Sequence, residues 1–271
     1  MQRTMSDVPD TRSPVDPASL FSLAGKVALV TGGSRGVGRM IAGGLIAAGA
    51  RVVIASRDRE ACEAAAAELS ADGQCTAIEA DLSTAGGCEA LARELAGREA
   101  RLHILVNNSG ATWGEALERF PEHGFDKVLD LNVKAEFFLT RELVPMLERA
   151  AAPGDPARVL NIGSMHGLAV PRLANYSYAA SKAAVHHLTR VLAVELGPRG
   201  IAVNAIALGP LASRMTRQLL EEHRQEIERA CPLGRIGAPA DVAGVAVFLA
   251  SRAAAWINGV VLPVDGGLSL V

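Results

Sequence analysis

Val27-Ala28-Leu29-Val30 is an apolar run that ends on Thr31-Gly32-Gly33-Ser34-Arg35-Gly36-Val37-Gly38, and a helical pattern over 37–48 follows at once. A strand with no polar face is buried on both sides, as in a parallel sheet, and the helix after it supplies a covering layer. The unit then recurs. Further strands are expected over 51–55, 76–80, 102–106, 159–162, 202–207 and 260–264. Between them, helices are expected over 58–70, 84–98, 125–150, 178–196, 215–229 and 241–250, the 125–150 helix bent at Pro145. Seven strands alternating with helices describe a doubly wound α/β fold, which binds ligands at the carboxyl ends of its parallel strands. The glycine turn, Asn107-Asn108-Ser109-Gly110, Ser164 and Asp265-Gly266-Gly267 all fall at such ends.

One domain over 21–271 is expected, behind a flexible tail of residues 1–20 that is rich in Pro, Asp and Ser. Composition narrows the partners. A net charge of −2 gives no basic field for a nucleic-acid backbone, and 4% aromatic residues leave little stacking surface for single strands. No apolar stretch approaches the roughly 20 residues a membrane-spanning helix needs. Cys62, Cys75, Cys88 and Cys231 have neither metal-site spacing nor the pattern of a disulfide scaffold. They read as free thiols in the cytoplasm, and no metal is expected.

Gly32, Gly36 and Gly38 permit a tight turn whose free N–H groups, with Ser34 and Val37 beside them, aim at a pyrophosphate; the bland alternative is an ordinary strand-to-helix turn. At the end of the next strand, where an NAD site would carry a carboxylate for the ribose hydroxyls, stand Ser56 and Arg57. Arg35 is positioned to join them. Two guanidiniums and no carboxylate suit a 2′-phosphate, so NADP(H) is expected over NAD(H), unless both arginines are merely solvated. Asp81 is a candidate acceptor for the adenine amino group with Leu82 beside the ring, or else part of a helix cap.

Tyr178 and Lys182 lie four residues apart in Asn-Tyr-Ser-Tyr-Ala-Ala-Ser-Lys, on one face of a helix, where an ammonium favours ionisation of a phenol. That pair can move a proton. Ser164, after an apolar run, is a candidate oxyanion donor, and mid-chain Asn132 a further polar group; singly, each also reads as a turn or core residue. Tyr176 has Ala180 four residues on and reads as a pocket wall; a lone His166 reads as a pocket or core residue.

Taken together, Thr31–Gly38, Asn107-Asn-Ser-Gly110, Asn132, Ser164, Tyr178-Ala-Ala-Ser-Lys182 and Val264-Asp-Gly-Gly267 resemble the short-chain dehydrogenase/reductase family. The resemblance covers about Leu23 to Gly267 and implies a Rossmann fold, hydride transfer between a nicotinamide and a carbonyl or alcohol carbon, and a homotetramer or homodimer. It implies Tyr178 as general acid, Ser164 as partner of the same oxygen, Lys182 as holder of the nicotinamide ribose, and Asn132 ordering a water that relays protons through Lys182. Asn108, Ser109 and Gly110 would flank the ribose. Leu208-Gly209-Pro210 replaces the usual Pro-Gly, which leaves the backbone that meets the carboxamide, with Leu211 and Ser213, less constrained.

Phe21-Ser-Leu-Ala-Gly25, Thr112-Trp113-Gly114 and Ser213-Arg214-Met215-Thr216 are similar to the family's bacterial 3-oxoacyl reductases, which implies a carrier-bound acyl thioester and places Arg214 or Arg217 near an acidic carrier. A dehydrogenase of sugar acids or polyols would share every catalytic residue. A nucleotide sensor without chemistry would not need them. Residues 211–229 read either as an amphipathic lid or as a surface helix.

Overall fold

The computed structural model describes residues 16–271 apart from Arg172. Of the expected tail, residues 1–15 lie outside the described residues, and Pro17–Phe21 forms a short helix, α1, capped by Asp16.

Strands β1 (Val27–Thr31), β2 (Arg51–Ser56), β3 (Cys75–Glu79), β4 (Ile104–Asn107), β5 (Ala157–Ser164), β6 (Ile201–Leu208) and β7 (Val261–Val264) form one parallel sheet. Its order is β3-β2-β1-β4-β5-β6-β7, so the chain reverses direction across the sheet between β1 and β4. Helices α2 (Gly36–Ala47), α3 (Arg59–Leu69) and α9 (Pro239–Ala250) cover one face; α4 (Ala85–Arg98), α6 (Ala135–Glu148) and α7 (Tyr176–Leu196) cover the other.

The apolar runs have no polar face because both sides are covered. In β1, Ala28 and Val30 pack in the layer of Ile41, Leu45 and Leu249, whereas Val27 and Leu29 pack in that of Leu95, Leu139 and Leu143. All eight residues of β5 and of β6 are buried. Each such Val, Leu or Ile contributes about 1.5–3 kcal/mol when fully buried. Asp58 and Thr84 cap α3 and α4, accepting from Ala61 N at 3.1 Å and Gly87 N at 3.1 Å.

The strands and most helices fall within two residues of their expected bounds. The segment 125–150 is continuously helical as far as Glu148, but not regular. It divides into α5 (Glu122–Leu129), a π-helical turn at Asp130–Lys134, and α6, which runs past Pro145 to Glu148. The extra residue in that turn brings Asn132 inward, where its amide hydrogen bonds compensate for the irregular backbone. Helix α8 (Arg217–Ala230) has no buried residue.

Candidate active site

A cleft of about 880 Å³ opens at the carboxyl ends of β1, β4, β5 and β6, beside the reversal in strand order. Its nucleotide half begins at the glycine turn. Gly32 and Gly36 have φ of +64° and +55°, which a side chain would strain. At Gly38 a Cβ would sit 2.4 Å from both Gly32 O and Asn108 Nδ2, so only a bare backbone lets α2 approach this closely. Asn108 Nδ2 in turn donates to Thr31 O at 2.8 Å and Gly32 O at 3.3 Å, while Thr31 Oγ1 accepts from Asn108 N and Ser109 N. The two turns are thereby tied together. Helix α2 starts with no side-chain cap, which leaves its first amides available to an anion.

Gly32, Ser34, Arg35, Gly36, Val37, Ser56, Arg57, Leu82, Asn108, Ser109 and Gly110 all line the cleft, as do Tyr178, Lys182, Gly209, Leu211 and Ser213. Arg35 and Arg57 form no ion pair among the described residues. The nearby Asp58 carboxylate is committed to capping α3, and Ser56 Oγ donates to Asp58 O at 3.0 Å. An anionic group beside these arginines would therefore meet two free guanidiniums. Gly38 and Asp81 do not line the cleft. Gly38 supports it from behind, and Asp81 Oδ1 accepts from Ser83 N at 3.0 Å within its own turn, so the adenine role expected of Asp81 finds no support in the geometry.

At the catalytic half, Ser164 ends β5 and Tyr178 stands in the first turn of α7. Lys182 is 6% exposed; its Nζ donates to Ile162 O at 2.6 Å and lies 5.7 Å from the centre of the Tyr178 ring. Helical spacing and the β5 carbonyl thus aim ammonium and phenol into one cleft. Asn132 is enclosed rather than exposed to it: Nδ2 donates to Ala111 O at 3.0 Å and Ser181 Oγ at 2.9 Å, and Oδ1 accepts from Ala111 N at 2.7 Å. Both amide protons are taken by protein groups, and no hydrogen bond joins Asn132 to Lys182 among the described residues. Ser181 Oγ completes the link by donating to Tyr178 O at 2.7 Å. The backbone after β6 is better held than the missing Pro-Gly suggested: Gly209 N donates to Val264 O at 3.0 Å and Gly237 N to Pro210 O at 2.9 Å.

Other residues carry the site without any motif to mark them. His186, 3% exposed, accepts from Ser164 N through Nε2 at 3.4 Å. A Cβ on Gly163 or Gly167 would fall 2.3 or 2.7 Å from its ring. Burial pushes this imidazole's pKa down to about 4, so it acts as a neutral acceptor wedged under the serine turn. Glu136, one helical turn beyond Asn132, is 7% exposed with Oε1 unpartnered, and burial pushes its carboxyl up to about 8 against the pull of Lys182. Tyr176 lies outside the cleft wall, its ring edge-on to Phe120 with centres 5.6 Å apart. Arg214 and Met215, with Gln218, Leu219, Glu222 and His223 of α8, form the outer rim; Arg217 does not.

A family model described as enoyl-(acyl carrier protein) reductase matches residues 32–269. The chain is 50% identical over 252 residues to a rhamnolipids biosynthesis 3-oxoacyl-[acyl-carrier-protein] reductase of Pseudomonas aeruginosa, covering 92% of this chain and 98% of that protein. It is 36% identical over 255 residues to a gluconate 5-dehydrogenase of Gluconobacter oxydans, covering 93% and 97%. The solved RhlG/NADP active-site complex of Pseudomonas aeruginosa superposes with a TM-score of 0.90 at 49% identity, over 93% of this chain and 99% of that one.

Proposed function

The chain belongs to the short-chain dehydrogenase/reductase family, and on that footing we propose that it reduces the 3-oxo group of an acyl thioester at the expense of NADPH. The observation that carries this reading is the convergence of Ser164, Tyr178 and Lys182 on a cleft whose other end holds a glycine turn and two arginines with no ion pair among the described residues. The bare approach of Gly32 and Gly38, with Arg35 and Arg57 free to take a 2′-phosphate, fits an NADP-type dinucleotide. A solved relative holds NADP.

When bound, NADPH supplies the hydride that reduces the carbonyl carbon. The carbonyl oxygen gains charge as this happens, and Tyr178 is the proton donor in reach of the cleft. Ser164 Oγ, which accepts from His166 N, keeps its own proton free to donate to the same oxygen. Lys182, anchored on Ile162 O, holds its Nζ 5.7 Å from the centre of the Tyr178 ring, on the side of the cleft where the proton is delivered. Asn132 and Ser181 fix the helix register that sets this spacing. Arg214 at the rim, with no ion pair among the described residues, suits an acidic carrier or a CoA phosphate.

The reading includes a homotetramer or homodimer built on the outward faces of α6 and α7, where Phe137, Val191 and Val194 are exposed. It also includes a cytoplasmic location, in keeping with four buried, unpaired cysteines. No helix among the described residues is long and apolar enough to cross a membrane. The 36% identical gluconate 5-dehydrogenase motivates the second reading, a sugar-acid or polyol dehydrogenase. The two are separated by NADPH oxidation against 3-oxoacyl thioesters of varied chain length and 5-ketogluconate. A higher kcat/KM for the thioesters is expected; turnover of the keto-acid sugar alone would overturn the assignment.

A further inference from the structure

His166 stands in the cleft wall, and the chemistry above uses only its backbone. Its N–H donates to Ser164 Oγ at 3.2 Å, and its ring meets that of Tyr178 edge-on with centres 5.9 Å apart. The imidazole therefore borders the two groups that would hold the reacting oxygen. Its orientation is set from behind. Asn175, 9% exposed, brings Nδ2 to 3.4 Å from His166 Nδ1, while its own Oδ1 is enclosed without a partner. Turning this amide round would enclose two N–H donors in place of one oxygen, at greater cost. With Nδ2 donating, Nδ1 is the acceptor and the proton of the neutral ring lies on Nε2. Burial holds the imidazole below its ordinary pKa, which keeps it neutral. Nε2 has no hydrogen-bond partner among the described residues, and it is not one of the enclosed atoms.

We propose that His166 Nε2–H is a second substrate donor that selects ketones carrying an acceptor oxygen near the reacting carbonyl, such as the thioester oxygen of a 3-oxoacyl group. The proposal rests on the reductase reading and adds to it the reason a 1,3-dicarbonyl is preferred over an isolated ketone. A donor outside the reacting centre binds ground state and transition state alike, so its loss raises KM and leaves kcat nearly unchanged. A ring that only propped Ser164 and Tyr178 would, when altered, lower kcat on every substrate.

The test compares His166→Phe, which keeps an aromatic ring against Tyr178 without the donor, with His166→Gln, which restores an N–H. Each is assayed with NADPH on a short 3-oxoacyl thioester, on 5-ketogluconate, and on an isolated methyl ketone of matching length. For His166→Phe the expected result is a KM on the thioester raised roughly 2- to 10-fold, the worth of one neutral hydrogen bond, with the isolated ketone unaffected and His166→Gln recovering much of the loss. Equal losses on both ketones, or none on either, would overturn the proposal. Should the wild-type enzyme reduce only 5-ketogluconate, the thioester reading fails by itself. His166 is then judged on 5-ketogluconate itself, which also has oxygens beside its ketone: a KM raised by His166→Phe at unchanged kcat and recovered by His166→Gln supports the donor, and a lowered kcat overturns it.

Discussion

Glu136 is a carboxylic acid shut into the interior between Asn132 and Thr140, with one oxygen unpartnered. An unfolded chain releases this proton near the ordinary 4.5, the folded one only near 8. Between those values the native state holds a proton the unfolded state has lost, so this group makes stability fall as pH rises from about 4.5 to about 8. Glu136→Gln is expected to raise Tm by several degrees at pH 8 and to leave it unchanged near pH 4. Equal Tm values at pH 8 would show that the carboxyl is not held protonated. His186 works by a related principle: a neutral ring enclosed against Gly163 and Gly167 accepts from the Ser164 amide, so the serine turn is held by a residue that does not line the cleft. Motif reading finds Tyr178 and Lys182 because their chemistry shows in their spacing. It misses Glu136, His186 and Asn175, whose importance comes from enclosure, which only the tertiary packing creates.

Among the elements, the glycine turn shows why residue type and spacing were readable there. Gly38→Ala would drive a methyl group to within 2.4 Å of Gly32 O, and the turn must shift. A stability loss of about 1–3 kcal/mol and NADPH binding weakened by at least tenfold are expected, measured by thermal denaturation and cofactor titration. Gly97→Ala, on the exposed face of α4 with nothing within 4 Å of the new methyl, should instead stabilise by about 0.5–1 kcal/mol and leave binding unchanged. A neutral Gly38→Ala would mean that α2 does not need so close an approach. The π turn at Asp130–Lys134 was not legible, because no glycine or proline marks it and the partners of its Asn132 side chain, Ala111 and Ser181, are distant in sequence. Helix α8 buries no residue, consistent with the low-stability elements that open over binding sites.

For the molecule as a whole, the alternation of fully apolar runs with helices determines a parallel sheet covered on two faces, and its strand ends bring the glycine turn, Asn108–Gly110 and Ser164 to one cleft. That much followed from periodicity alone. What periodicity could not give was how each strand-end carboxylate is held: Asp81 Oδ1 accepts from Ser83 N within its own turn, while Asp58 caps α3 at the cleft wall. The proposed cofactor preference rests on charge at the cleft wall. Ser56→Asp combined with Arg35→Ser and Arg57→Ser is expected to invert the NADPH-over-NADH ratio of kcat/KM, with NADPH losing roughly 10- to 100-fold per arginine; a retained NADPH preference would place the 2′-phosphate elsewhere. The most direct measurement is the rate of NADPH oxidation by Tyr178→Phe on a 3-oxoacyl thioester, paired with its NADPH affinity. A rate lowered about 10²- to 10⁴-fold with affinity preserved is expected if the phenol delivers the proton. A near wild-type rate without that hydroxyl would contradict it.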